Sequence, residues 1–514
     1  MESIVFALLF IFAVALPVYS YSKRQRFRLP PGPKGLPIIG NAFDIPVGHE
    51  WVTYAKWSCE YGSDIIYLNI AGQPIYVLNS VQAINDLLEK RSSNYSDRMV
   101  MAMCHEIVGW GKNFAFMPYG DFWREHRRMF HQHFHSDVVS KHHIHILKQA
   151  KDLLGRILAD PDNLTQHLRF MAGASILRVS YGIDIQPEND HYVGIAEAAV
   201  HSLALTGNVG SYLVDNFPIL KYLPSWAPGA QFKRDGMKWR EQVNRMFDEP
   251  FELVKRLMAE GKPSDSVTAS LLAGLDERKD KPRQELETAV KYATGTSYVG
   301  GADTTVSAVA TFVLAMLKFP NVQSTAQAEL DRVIDSGRLP TFEERDSLPY
   351  VTAVMKETLR WHQVTPLAVP RTVTADDEYK GYYIPAGSLV IGNAWAVLHD
   401  ETRYPNPGSF DPTRFLTSDG QLNKSAPDPV EACFGYGRRL CPGRHFAMDT
   451  IWLNIAFILT TLDIAKPSDE MGQPIEPSGE FTSGTLSHPV PFKASYKPRS
   501  KAAEVLIREP MFYD

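Results

Sequence analysis

Cysteine is scarce in this chain: Cys59, Cys104, Cys433 and Cys441 are the only four among 514 residues. Their number and spacing exclude a disulfide scaffold and suit a reducing, cytosol-facing body. Charge of one sign is lacking too. Against 58 Asp and Glu stand 53 Lys and Arg, a formal net charge of -5, so the usual signature of a polyanion-binding protein is missing and a nucleic-acid role is disfavoured. There is no strong internal repeat and no low-complexity tract. No Gly-rich flavin or nicotinamide fingerprint follows a strand, so the chain carries no such site of its own. Long apolar runs are few. One lies at the N-terminus; the other, within 306–319, begins beside Asp303 and ends in Lys318-Phe319-Pro320, and reads as an interior helix. A multi-span transporter is thereby excluded. What remains, with 44% hydrophobic residues, is enough to bury one large core or two or three smaller ones.

The N-terminal run, Ile4 to Ser20, is at the short end of a spanning helix. Lys23, Arg24, Arg26 and Arg28 follow at once, while only Glu2 precedes it. That asymmetry predicts a single retained transmembrane anchor over 1–22 with the remainder in the cytoplasm; a cleaved signal peptide is the alternative. Residues 23–43, with Leu29-Pro30-Pro31-Gly32-Pro33, form a basic, proline-rich linker that resists helix formation. The body is expected over 44–514, as one domain, with a split near 275 as the other arrangement.

Within the body, Glu50–Glu60 reads as helix, and Ile65–Leu68 and Pro74–Leu78 alternate as a hairpin across Ala71-Gly72. From about 120 to 335 the period is helical, 366–392 holds short strands, and a helix near 443–459 precedes further turns. The fold class is mainly α with small β-sheets. The longest helix is predicted over Leu286–Phe319, about 50 Å, stopped by Pro320. In its middle stand Gly300-Gly301-Ala302-Asp303-Thr304. Paired glycines cost such a helix about 2 kcal/mol relative to alanine. They suit the close approach of a flat cofactor or substrate, or equally a tight helix crossing, and they place a carboxylate and a hydroxyl at that opening.

The strongest local pattern is Phe434-Gly435-Tyr436-Gly437-Arg438-Arg439-Leu440-Cys441-Pro442-Gly443. Its glycines permit a tight turn, and Pro442-Gly443 introduces a helix. A cysteine just before that helix faces free N–H groups, which favour thiolate. Chemistry alone leaves three readings of Cys441: an iron ligand, a buried structural cysteine, or a reactive thiol.

These residues resemble the haem-binding loop of the cytochrome P450 family. Glu357 and Arg360 match its Glu-x-x-Arg pair, completed by Arg414, although by themselves they read as an ordinary i,i+3 ion pair. Trp123 and Arg127 match its propionate-binding Trp-x-x-x-Arg, and the long helix resembles its oxygen-activation helix, with glycine at 300 where alanine is commoner. The resemblance spans essentially the whole chain and implies a P450 fold behind a single N-terminal transmembrane helix. It implies haem b, with iron ligated by the Cys441 thiolate, Phe434 in the loop, and Trp123, Arg127, Arg371 and Arg439 holding the propionates. Asp303 and Thr304 would deliver protons. The implied activity is NADPH- and O2-dependent hydroxylation or epoxidation of a lipophilic secondary metabolite or xenobiotic. A haem-thiolate isomerase or dehydratase needing no reductant is the alternative. Electrons would come from NADPH–cytochrome P450 reductase, with cytochrome b5 as an optional second donor; Arg438 and Arg444 read either as a face for an acidic partner or simply as solvated charge. The setting would be the endoplasmic reticulum membrane, single-pass, with the catalytic body in the cytoplasm. Substrate contacts are implied in Met99–Phe116, at Val299 and Ala302, in Val364–Val369 and in Thr482–Leu486.

Three features are set aside. The histidines from His126 to His145 lack the carboxylate or cysteine partners of a zinc motif. Cys433 reads as a small buried hydrophobe. The sequons at Asn94, Asn163 and Asn423 have no access to lumenal glycosylation in a cytosolic body.

Overall fold

The computed structural model describes residues 28–186, 189–207, 211–335 and 337–509. Helices dominate, arranged around Arg283–Lys318, a 36-residue helix that crosses the molecule. Helices Leu164–Tyr181, Asp121–Phe134 and Arg444–Thr461 pack against it. From Thr305 to Leu317 every residue is buried, which explains why the helix is apolar all round there. Pro320 does not simply stop it; Phe319 turns the chain, and Pro320 opens the next helix, Pro320–Val333.

The expectation of a transmembrane helix ahead of the body is corrected. Among the described residues, the one helix long and apolar enough to cross a membrane is Arg283–Lys318, with 67% of its most apolar stretch buried inside the protein. No described helix precedes Glu50. The anchor expected over 1–22 lies outside the described residues.

A four-stranded sheet flanks the helices in the order β1-β2-β6-β3, from Ile65–Ile70, Gln73–Leu78, Leu389–Gly392 and Arg371–Thr372. β1 and β2 pair antiparallel, β2 and β6 parallel, and β6 and β3 antiparallel. Ala71 and Gly72, at φ 47° and 94°, make the tight turn of the hairpin. The proline-rich stretch packs on this sheet, with the Tyr67 amide donating to the Pro31 carbonyl at 3.0 Å. Two small hairpins complete the body, β4-β5 (Asp377–Tyr379, Tyr382–Ile384) and β7-β8 (Leu462–Ala465, Ser495–Pro498). The parallel β2-β6 register joins residues more than 300 positions apart, and the antiparallel β3-β6 pairing puts Arg371 opposite Val390, inside the protein.

Candidate functional site: a cysteine loop, a cationic cradle and a helix window

Cys441 lies at the end of a loop held in place by its backbone. Its amide donates to the Phe434 carbonyl at 2.8 Å, and its own carbonyl accepts from Arg444. Gly437 has φ 51°, and a Cβ there would meet the Leu88 carbonyl oxygen at 2.2 Å, so no other residue fits without moving that chain. Helix Arg444–Thr461 begins just beyond. The expected thiolate-favouring helix end is real, but weaker than burial. Burial pushes the Cys441 thiol up; the Gly443 amide, Arg127 and Arg444 offset this only in part. Deprotonation would thus have to come with metal binding, which removes the proton from a coordinating thiol.

Four guanidinium groups gather beside this loop. Arg371 and Arg439 are 3% and 9% exposed, Arg98 is buried with them, and Arg127 is half-buried. Among the described residues none has a carboxylate within ion-pair distance. Arg439 donates to the carbonyls of Ser96, Phe114 and Met117, and Arg98 to those of Ala115, Val369 and Pro370. Arg371 donates to the carbonyls of Leu88, Tyr95 and Tyr436. Burial pulls Arg371 and Arg127 down to about 10 and Arg439 to about 9, with Arg371 repelling Arg439. Arginine stays charged in proteins, so these shifts express an unmet demand for an anion. Trp123 lies under Arg439, whose guanidinium carbon is 4.5 Å from the indole centroid, and the buried Trp123 Nε1–H has no partner. Unpaired buried charge costs several kcal/mol. The residues therefore fit a flat cofactor carrying carboxylates beside a cysteine ligand. Arg98 was not legible in the sequence; only the fold brings it to Arg371 and Arg439.

Behind the loop, the Glu357 carboxylate receives Arg360 in two bonds, 2.7 and 2.8 Å, Arg414 at 3.2 Å and the Asp411 amide at 2.8 Å. Glu357 and Arg360 are wholly buried, so this is more than the exposed i,i+3 pair that spacing alone allows. Burial pushes the Glu357 carboxyl up against the pull of both arginines.

Opposite in character is the middle of the long helix. Between buried Tyr298 and buried Thr305, residues 299–304 regain solvent contact, a window between two buried stretches of the helix. Its two glycines do different things. A Cβ on Gly301 would meet Ile176 at 2.9 Å, the tight helix crossing, whereas one on Gly300 would meet nothing within 4 Å. The Thr304 hydroxyl donates to the Gly300 carbonyl at 2.7 Å. Asp303 contacts His488 at 3.1 Å and Arg169 at 3.7 Å. Burial pushes the Asp303 carboxyl up, but His488 and Arg169 outweigh it and hold it below its ordinary value. Neither neighbour was singled out in the sequence, because 185 residues separate His488 from Asp303.

The expected pocket residues divide. Phe114 is buried against Phe130, with ring centroids 5.6 Å apart, and its carbonyl serves Arg439, so it belongs to the core. Phe116, Val299, Ala302, Leu367, Ala368 and Val369 remain half-exposed, and so does Phe434 in the loop. No group of three or more His, Cys, Asp or Glu that could hold a metal ion occurs among the described residues.

A mainly helical enzyme with a cysteine presented to a carboxylate-bearing cofactor is the class that this fold and site define. The profile of the family described as "Cytochrome P450" matches residues 30–495. Cytochrome P450 monooxygenase 98 of Postia placenta is 43% identical over 96% of this chain and 95% of its own length. Tryptamine 4-monooxygenase of Psilocybe cyanescens is 43% identical over 94% and 96%. Cytochrome P450 monooxygenase ple1 of Rhodocybe pseudopiperita is 43% identical over 95% and 92%. The chain belongs to the cytochrome P450 family and is similar to fungal members. It is an NADPH- and O2-dependent monooxygenase with a haem-thiolate cofactor, acting on a lipophilic small molecule, with electrons from a reductase partner. The reductant-free isomerase or dehydratase finds no support among these relatives. Membership is in keeping with a membrane-associated enzyme.

Proposed function

We propose that Cys441 would ligate the iron of haem b through its thiolate, that Arg98, Arg127, Arg371, Arg439 and the Trp123 indole would hold its propionates, and that Phe434 would pack in the ligand loop. The observation that carries this is the cluster of buried, carboxylate-free guanidiniums around an unpartnered indole N–H. When bound, the haem-thiolate supplies reductive activation of dioxygen and insertion of one oxygen atom into substrate. The protein's part is then to hold, orient and protonate. Thr304 and Asp303, in the helix window, pass protons inward; the hydroxyl that now donates to Gly300 keeps lone pairs able to accept. The body over 44–514 carries this chemistry.

Electrons come from NADPH–cytochrome P450 reductase, with cytochrome b5 as a second donor, and the enzyme works at the endoplasmic reticulum membrane with its catalytic body in the cytoplasm. Membrane association is supported by exposed apolar side chains between residues 213 and 226, where Leu213, Phe217, Ile219, Tyr222 and Trp226 all face outward. The substrate is a secondary metabolite or xenobiotic. Because one relative is named for tryptamine, indole amines belong in the first panel. The test is turnover of a lipophilic panel by microsomes containing this protein and a reductase, with product masses read directly. A product heavier by one oxygen, absent without NADPH and absent in Cys441→Ala, is expected. Conversion that persists without NADPH would overturn the reading.

A further inference from the structure

Asp303 does not stand alone in the window. Its partner His488 sits on a C-terminal hairpin closed by the Thr482 amide donating to the His488 carbonyl at 2.7 Å and the His488 amide donating to Thr482 Oγ1 at 3.0 Å. The hairpin is already fixed without the His488 ring. Ser307, one turn after Asp303 on the same helix face, donates to the Ser487 carbonyl at 2.5 Å, and the Ser487 amide donates to the Val364 carbonyl at 2.9 Å. Ser487 Oγ donates its one hydrogen to the Thr482 carbonyl, so the His362 Nε2–H must donate to Ser487 Oγ, at 2.8 Å. Burial holds His362 down to about 3, consistent with a neutral ring. With these anchors in place, the contact between His488 and Asp303 is surplus to holding the hairpin.

Exposure rises outward along the cluster, from Asp303 at 18% to His488 at 22% and Arg169 at 41%. Asp303 lies below the ordinary carboxylate range, so at neutral pH it is ionised and has no proton to give. Of the two basic groups on Asp303, Arg169 does not release a proton, whereas an imidazolium is a competent general acid. Against His488 stand Asp303 on the long helix, with Arg169 of helix Leu164–Tyr181 beyond it, and His362, while His49 and Glu50 reach the hairpin at Phe481 and Ser483.

We propose that His488 is the proton-supplying partner of Asp303, so that the C-terminal hairpin, and not the long helix alone, governs proton delivery; this rests on the assignment of Asp303 and Thr304 made above. The imidazolium gives its Nε2 proton to Asp303 Oδ2; the carboxyl returns a proton towards the Thr304 oxygen, which as it accepts hands its own hydroxyl proton on into the cleft, and solvent reprotonates the ring. His488 is a positioning and supply residue and does not itself touch the reacting atoms.

The test uses full-length holoenzyme with reductase, comparing wild type, His488→Gln, Asp303→Asn and Thr304→Ala. Product formed per NADPH, the solvent deuterium isotope effect and the pH profile are read, with haem content as the check of integrity. His488→Gln keeps a hydrogen-bond donor but cannot titrate. It is expected to retain haem, slow product formation about tenfold, raise the isotope effect, and lose the fall in rate that accompanies deprotonation of the ring. Wild-type coupling, isotope effect and pH profile in His488→Gln, while the other two variants uncouple, would reduce His488 to a latch. Unchanged coupling in Asp303→Asn and Thr304→Ala would overturn the underlying assignment and this proposal with it. Independently of turnover, and even if His488→Gln fails to fold, the NMR signals of the His488 ring should change in Asp303→Asn, because the hydrogen bond at its Nε2 is altered. A ring indifferent to that substitution would overturn the proposal.

Discussion

The two sides of the candidate cofactor cleft are built on opposite principles. Around the Cys441 loop, charges are buried and bonded into place: Glu357 accepts four hydrogen bonds, and each of Arg98, Arg371 and Arg439 is held by three backbone carbonyls. Across the cleft, the window of the long helix has one hydroxyl bonded to its own turn and one acid shared with a half-exposed histidine. Retaining a cofactor rewards rigidity, since a buried charge without fixed partners is costly. Moving protons rewards groups that can exchange partners and meet water. The difference therefore separates residues whose loss empties or unfolds the site from residues whose loss leaves it filled but wasteful.

Breaking the proximal side should have the larger effects. Cys441→Ala is expected to abolish the haem-thiolate carbon monoxide spectrum and all NADPH-dependent product. Glu357→Ala leaves Arg360 buried without its carboxylate and should cost about 3–5 kcal/mol, read as a lower urea midpoint together with lost haem. Arg98→Ala removes one cation of the cradle, worth about 1.5–3 kcal/mol, and should speed haem transfer to an acceptor globin while sparing the fold. On the distal side Thr304→Ala should keep haem and its spectrum but lower product per NADPH; unchanged coupling would erase the contrast drawn here. The smallest effect concerns Asp303 and pH. Its folded pKa is depressed, so its stabilising contribution is present above the ordinary carboxyl value, about 3.9, and is lost as pH falls through the lower folded value. The stability gap between wild type and Asp303→Asn should accordingly close only below about pH 4 in urea melts.

Much of this was legible along the chain, because the signals are local. The first described helix, Glu50–Glu60, and the β1-β2 hairpin follow from period and turn chemistry, and the cysteine loop from ten consecutive residues. The glycine pair was legible as an opening, but its division into one crossing glycine and one open one was not, since Ile176 lies on another helix. The fate of Phe114 also depended on what lay behind it. An apolar helix long enough to span a membrane proved to be the core of the body, because the same composition suits lipid and a protein interior alike.

By itself, then, the sequence determined the class of chemistry: a cysteine at a glycine-bent turn, an acid and an alcohol beside a glycine pair in a long helix, and no electron source of its own. Tertiary structure alone decided that Arg98 joins Arg371 and Arg439, that burial raises the Cys441 thiol more than its helix lowers it, and that Asp303 lies against His488. The reason is physical. Backbone geometry and period act over a few residues and are written locally, whereas burial and electrostatic pairing depend on which distant segments the fold brings within a few ångströms.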